Sequence, residues 1–411
     1  MTPLLYRLLR TQPHEAPALA WAFVYFFLVL CSYYLLRPVR DTVGVALGRD
    51  ELQRLFTVTF VVMLALVPVF GWLSARLPRA KLLPVVYGFF SLNLVLFAIQ
   101  LPPAVFFVWL SVFNLFVVSV FWSFMSDVFD SAQAARLYGA ISAGGSCGAI
   151  AGPLLASLIL KHEYLLLLSA LMLAGAIVCV TLLARWARRH PRASEPHADA
   201  PIGGSILAGA RAALSSPFLL AICGYLFCYT VLSTALYFQQ VAIVREALPD
   251  PREQTRFFAR IDLTVNTLTL LIQVLAFSRL AALIGPTGLL VLMPLVSIAG
   301  FLWIGATPTL LALVVFGVTR RVGEFAVSKP ARETLFTVVP REERYKAKSF
   351  IDTVVYRGGD LAAAWAFASL SAFFAAGVAV IWAALAVFLG TRMKSWTRDD
   401  ARSSPSLQPG R

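Results

Sequence analysis

Along this chain, long apolar runs alternate with short polar breaks. The first extends from Ala16 to Leu36, 21 residues without a charge, and comparable runs recur as far as Leu389. A helix needs about 20 apolar residues to cross a hydrocarbon core of about 30 Å. Strand barrels instead alternate apolar and polar residues in segments of about ten. These runs are continuous, so the expected spans are helical. The breaks place twelve of them over residues 17–46, 52–74, 82–101, 104–126, 137–160, 164–184, 217–243, 259–280, 286–305, 309–330, 349–370 and 372–391. The break between the sixth and seventh spans differs from the rest. Arg188-Arg189-His190-Pro191-Arg192 is followed there by Pro196, Pro201 and Gly203-Gly204. This polar hinge divides the chain into an N-terminal six-helix half (1–184), a central loop (185–216), a C-terminal six-helix half (217–392) and a tail (393–411). The expected fold class is an all-α integral membrane protein.

Composition agrees. The chain is 59% hydrophobic and 14% charged, against about 25% charged residues in soluble domains. A net charge of +14 raises the question of nucleic-acid binding. The distribution of that charge argues against it, because the basic residues gather in short loops and tails, as membrane orientation requires. Arg76, Arg79 and Lys81, then Arg136, then Arg185 to Arg192, then Arg341 to Lys348 fall on one side. Both termini and the central loop are therefore expected in the cytoplasm of a bacterial inner-membrane protein. Arg7 and Arg10 before the first run imitate a secretory signal. That run exceeds a signal core of about 7–15 residues and no small-residue cleavage site follows, so it is read as a retained first helix. The five cysteines lie in apolar runs without CxxC spacing, and the four histidines form no ligand cluster. A Walker P-loop and a Gly-x-Ser-x-Gly elbow are both missing, which removes the signatures of ATP-driven pumping and of nucleophilic hydrolysis. No catalytic residue, metal ligand or cofactor is expected.

Charges inside the spans carry the candidate chemistry. Arg37, Arg40 and Asp41 end the first span beside Pro38. On a helix they share a face through i, i+3 and i+4 spacing. In the tenth span Arg320-Arg321 and Glu324 interrupt an apolar run about eleven residues beyond its start, close to mid-bilayer at about 1.5 Å per residue. Glu324 stands i+4 and i+3 from the two arginines and can pair with either. One acid against two bases leaves positive charge at depth. Guanidinium groups suit bidentate contact with phosphate or carboxylate. The eleventh span adds Asp352, Tyr356, Arg357 and Asp360, with Arg357 and Asp360 spaced to pair. Ionisable groups at such depth mark substrate pathways or locks between helices. In the eighth span, Asp262, Asn266 and Gln273 either line a cavity or bond across helices. Gly139, Gly144, Gly145, Gly148 and Gly152 make the fifth span a close-packing surface. Aligning Cys31 with Cys228 sets Thr234, Tyr237 and Phe238 against Arg37, Arg40 and Asp41, so the first charge cluster is not repeated in the second half.

Two six-helix halves about a cytoplasmic hinge resemble the major facilitator transporters, whose halves rock about a midplane site. Gly71-Trp72-Leu73-Ser74-Ala75-Arg76-Leu77-Pro78-Arg79-Ala80-Lys81 is similar to that superfamily's G-x-L-a-D-r-x-G-r-k/r loop at Gly71, Leu73, Arg76 and Arg79, with Ala75 and Pro78 departing from it. Three further segments resemble the ATP/ADP translocases of plastids and intracellular bacteria. Leu36-Arg37-Pro38-Val39-Arg40-Asp41 is similar to their I-L-R-x-x-K-D. Trp122-Ser123, Asp127-Val128-Phe129 and Ala134-Ala135-Arg136-Leu137-Tyr138-Gly139 resemble their W-x-F-x-N…E-A-K-R-F-Y-P, with Gln133 and Ala135 in place of the Glu and Lys. Lys346-Ala347-Lys348-Ser349-Phe350-Ile351-Asp352 is similar to their K-x-K-A-x-I-D. This resemblance implies phosphate-facing roles for Arg37, Arg40, Arg54 and Lys348. The combined expectation is a monomeric secondary transporter that exchanges a small organic anion, a nucleotide or phosphorylated metabolite, across the bilayer by alternating access. Substrate would meet Arg37, Arg40, Arg54, Arg320, Arg321 and Lys348. Asp41, Glu324, Asp352, Arg357 and Asp360 would pair charges or gate. Two alternatives stay open at this point: a proton-coupled exporter of amphipathic compounds, and a non-transporting multi-pass partner protein.

Overall fold

The computed structural model describes residues 11–76, 79–159, 161–190, 211, 214, 216–336, 339, 350–366 and 371–403. Every regular element among them is helical: α1 (Ala16–Arg76), α2 (Arg79–Ile99), α3 (Pro103–Val128), α4 (Ser131–Leu158), α5 (His162–Arg189), α6 (Pro217–Ala247), α7 (Pro251–Leu275), α8 (Phe277–Ala306), α9 (Leu310–Gly323), α10 (Lys329–Leu335), α11 (Tyr356–Ala366) and α12 (Ala372–Ser403). π turns at Glu324–Ser328 and Ile351–Val355 join α9 to α10 and lead into α11.

Among the described residues nine helices are long and apolar enough to cross a membrane. The difference from the twelve expected spans is accounted for in each case. The first two spans are two helices that meet at a kink at Gly48, whose φ of 79° and ψ of 179° lie outside the helical region; with no loop between them they form one continuous stretch, α1, and count once. Only glycine adopts that backbone readily. The tenth span is broken by the first π turn into pieces too short to count, and of the eleventh only residues 350–366 are described. Gly285 (φ 65°) similarly separates a short leading segment of α8 from its membrane-crossing part.

The chain forms two compact units, one of Met1–Ala198 with Val244–Thr267, the other of Asp199–Ile243 with Leu268–Arg411. The stretch 244–267 lies within the C-terminal half of the sequence, yet belongs to the first unit. Polar bonds hold it there: Thr255 meets Thr42 (2.7 Å) and His162 (2.9 Å), and Asn266 donates to the Ala149 carbonyl (2.8 Å).

The core of the first unit is built on α1. Tyr25 and Phe26 pack on Phe121 with centroids 4.8 and 4.1 Å away, and Tyr25 hydrogen-bonds Tyr87. On the opposite side α4 lies against α1 through its glycines. A Cβ at Gly144 or Gly148 would strike the Phe23 or Phe27 carbonyl, and one at Gly145 the Phe26 ring. In hydrocarbon, apolar burial no longer drives helices together, so close van der Waals approach of this kind does. In the second unit, Trp382 of α12 is buried against Tyr225 of α6, and Gly300 and Gly390 admit Phe316 and Thr287. Large apolar side chains stay exposed on outer faces, including Val85, Leu171, Leu283 and Leu311, as suits helices whose surrounding solvent is lipid.

Candidate functional site

Among the described residues, both units hold charged side chains within their spans. In the first, α1 carries Arg37, Arg40 and Asp41. The Thr42 hydroxyl donates back to the Pro38 carbonyl (3.0 Å). Arg37 pairs with Asp262 of α7 at 3.3 Å, and Asp262 is 1% exposed. Arg40 lies 4.0 Å from Asp41 and places its guanidinium 4.0 Å above the Phe107 ring. The i, i+3, i+4 face is therefore real, but the strongest partner of Arg37 comes from another helix.

In the second unit, α9 carries Arg320, which is 4% exposed. It donates to the Tyr229 carbonyl (3.1 Å) and Ser233 Oγ (2.9 Å), and its guanidinium lies 5.2 Å from the Tyr229 ring centroid. Among the described residues no carboxylate lies within ion-pair distance of it, and its buried Nε has no hydrogen-bond partner. Glu324, the acid expected to answer it, pairs with Arg332 at 3.8 Å. This corrects the expected i+3 or i+4 pairing. The π turn at Glu324–Ser328 inserts about one extra residue into the helix. Position 332, eight residues on, then stands where i+7 would, two turns along the same face. Arg332 escaped sequence reading because its partner is readable only with the π turn in view. Ser328, in the same turn, bonds Tyr225 Oη (3.2 Å).

Arg357 pairs with Asp360 (3.4 Å), and Asp360 accepts from Thr234 (2.9 Å). Gly359 on the same turn admits Thr230, whose hydroxyl a Cβ would strike. Arg54 lies beyond the Gly48 bend, its side chain is 75% exposed, and it pairs with Glu51 (3.6 Å). Arg321 belongs to the last turn of α9. Lys348 lies outside the described residues; Asp352 falls in the second π turn, where only its backbone is described. Of the eighth-span polar residues, Asn266 and Gln273 bond backbone carbonyls of other helices, at Ala149 (2.8 Å) and Phe325 (3.1 Å).

A further charged contact lies at the end of the first unit's bundle. Glu15, just before α1, accepts both terminal nitrogens of Arg136 (3.1 and 2.8 Å) and Gln133 Nε2 (3.0 Å). Burial alone would raise its carboxyl, but the Arg136 hydrogen bonds and the Gln12 and Gln133 donors outweigh that and bring it down to about 2. Among the described residues no cluster of three or more His, Cys, Asp or Glu side chains could hold a metal ion.

This chain belongs to the Major Facilitator Superfamily, whose family model matches residues 22–359. It is therefore a multi-pass membrane transporter with a small-molecule substrate. Solved structures share its fold. A bacterial homologue of the human lysosomal transporter Spinster, inward-facing and unoccupied, is 15% identical, with TM-score 0.61 over 97% of this chain and 100% of that one. The nucleoside transporter NupG is 11% identical, with TM-score 0.60 over 94% of this chain and 100% of that one. The human organic anion transporter MFSD10 is 17% identical, with TM-score 0.53 over 94% and 98%. At these identities the likeness is one of fold. No curated protein sequence matches the chain.

Proposed function

We propose that this transporter carries an organic anion, a nucleotide or phosphorylated metabolite, across the bacterial inner membrane as an exchanger, with both termini in the cytoplasm. The observation that carries this reading is Arg320: a guanidinium 4% exposed, inside a span, with no carboxylate at ion-pair distance among the described residues. A buried cation costs several kcal/mol unless it is compensated. Here carbonyl, hydroxyl and ring contacts compensate it only in part, leaving donors for a planar anion that can accept two hydrogen bonds. Arg321, Arg37 and Arg40 supply further positive charge, Arg37 at a lower level because Asp262 already answers it. Glu324 with Arg332, and Arg357 with Asp360, are the paired charges that hold or gate these elements, and Asp41 does the same for Arg40. Lys348 and Asp352 belong to this group through the translocase-like segment. Of the fold relatives, one is an organic anion transporter, and another is a nucleoside transporter, whose substrate shares the base and sugar of a nucleotide but not its charge.

The test is a thermal-shift screen of purified protein against nucleotides and phosphorylated metabolites, followed by counterflow in proteoliposomes. A true ligand stabilises by RT ln(1 + [L]/Kd), so at about 100 Kd the gain is about 2.7 kcal/mol. Stabilisation by amphipathic cations, with none by anions, would replace this reading with the exporter.

A further inference from the structure

We propose that the lipid-facing side of the first unit carries a specific phospholipid site, with one acyl chain in an apolar groove and the headgroup phosphate on Arg54. The groove has a volume of about 790 Å³, and every residue lining it is apolar. Its walls come from three spans: α1 after the bend, α2 and α3. Leu55, Val58, Val62 and Leu66 form one stripe of α1, and Val105 and Trp109 represent the facing wall of α3. The groove is open to the outside, since Val58, Val85 and Val105 are 45%, 69% and 55% exposed. It therefore faces hydrocarbon, which settles the chemistry of its occupant.

The dimensions select a single acyl chain. On α3 the groove runs from Ala104 to Phe116 and on α1 from Leu55 to Leu66. At about 1.5 Å per residue these are lengths of roughly 17–18 Å. One leaflet of a hydrocarbon core of about 30 Å is about 15 Å deep. Both walls start at the same membrane face, because Leu55 follows the Gly48 bend and Ala104 opens α3. The groove thus runs from the headgroup level of one leaflet to beyond the midplane, where Val85 and Phe89, near the start of α2 at the opposite face, line it. Its floor is rigid: Trp109 stacks on Phe113 with centroids 5.2 Å apart, and Phe90 and Phe97 close on it edge-on.

The mouth supplies the complementary charge. Arg54 stands one turn before Val58, at the i, i+4 spacing that flanks the stripe. Helical side chains lean toward the N-terminus, so this arginine is directed to the membrane surface above the groove. It is 75% exposed and its ion partner, Glu51, is itself 39% exposed at 3.6 Å, a contact that a phosphate can displace at little cost. Arg54 is thereby assigned to the lipid and not to the transported substrate.

The experiment uses the full chain, equilibrated with vesicles of equimolar phosphatidylglycerol and phosphatidylethanolamine, extracted mildly and examined by native mass spectrometry. Wild type should retain one phospholipid, with phosphatidylglycerol favoured about fivefold, the weight of one arginine at an anionic surface. Arg54→Gln should remove the preference and keep the total. Val108→Trp, which fills the groove, should remove the bound lipid. Retention of lipid by folded Val108→Trp at the wild-type level overturns the groove site, and an undiminished preference in Arg54→Gln overturns the headgroup contact. A second measurement needs no groove-filling variant. Phospholipids brominated on the acyl chain should quench the part of the fluorescence that Trp109→Phe removes. Equal fractional quenching of wild type and Trp109→Phe overturns the proposal.

Discussion

The charge clusters on α1 and α9 contain the same residue types and are answered differently. Arg37 has a buried carboxylate 3.3 Å away, contributed by α7. Arg320 is buried more deeply and, among the described residues, is met by a carbonyl, a hydroxyl and an aromatic ring. Its nearest acid in sequence, Glu324, pairs with Arg332. A guanidinium with its own carboxylate is part of the scaffold, and an anion must compete to reach it. A guanidinium held by neutral groups keeps its charge available. The π turn, which begins at Glu324, shifts the register that follows it and so brings Arg332 onto the face of Glu324, giving that acid a partner further along the chain. π turns recur at functional sites for this kind of reason.

The sharpest way to break this comparison is to remove Arg320. Arg320→Ala should abolish exchange in proteoliposomes, a loss of at least about 30-fold if the contact behaves as a buried charged hydrogen bond worth about 2–5 kcal/mol. The folded protein should remain extractable, and Arg320→Lys should restore only part of the rate, because a point charge lacks the fork. Normal uptake by Arg320→Ala would remove α9 from the site.

The α1 cluster should respond first in stability. Asp262→Ala leaves Arg37 without its partner in a largely buried position, and breaking such a pair costs about 3–5 kcal/mol. Replacing both residues with apolar ones, as in Arg37→Met with Asp262→Leu, should recover most of that loss in thermal unfolding of the detergent-solubilised protein. Equal loss in the single and double variants would mean that the pair is not what holds α7 to α1.

The packing around α1 sets a smaller effect. Gly148→Ala places a Cβ against the Phe27 carbonyl, and overpacking of this kind costs about 1–3 kcal/mol. Gly139 of the same helix has nothing within 4 Å of an added Cβ, so Gly139→Ala should instead stabilise by up to about 1 kcal/mol through helix propensity. A matched pair of melting curves checks both signs. Similar losses in the two variants would show that the seam is not a close-packed surface.

How much of this was legible beforehand varies with the range of the interaction. Hydropathy runs disclosed the spans, because crossing hydrocarbon constrains every residue in them. The glycines of α4 disclosed the seam, since small residues at helical spacing have few other uses in a membrane. The break at Gly48 was legible, because the apolar run stops at Leu47 and the polar stretch Gly48 to Glu51 follows before it resumes. The Arg37–Asp262 pair joins residues 225 positions apart, and spacing rules extend only one or two turns. The Glu324–Arg332 pair fails for a local reason: spacing rules assume 3.6 residues per turn, and the π turn breaks that assumption between the two residues. The Glu51–Arg54 pair, by contrast, stands at i, i+3 on one helix and lies within the reach of those rules.

The smallest expected effect lies at the start of α1, where Glu15 is held by Arg136 and Gln133. Its carboxyl sits at about 2 in place of the ordinary 4.5. A carboxylate lowered by folding contributes stability that is complete above the unfolded value and is lost as pH falls through the folded one. The contribution should therefore be constant from neutral pH to about 4.5 and decline toward about 2. Glu15→Gln keeps a hydrogen-bond acceptor for Arg136 but removes the charge, and should cost about 1 kcal/mol at pH 7. The gap between wild type and variant in thermal unfolding should close as pH falls through that window, because protonated Glu15 then resembles glutamine. Other carboxylates titrate in the same range, but they are common to both proteins and cancel in the difference. A gap that stays constant down to pH 2 would mean that the Glu15–Arg136 contact is geometric and not ionic. The start of α1 would then be held by packing alone, like its glycine seam.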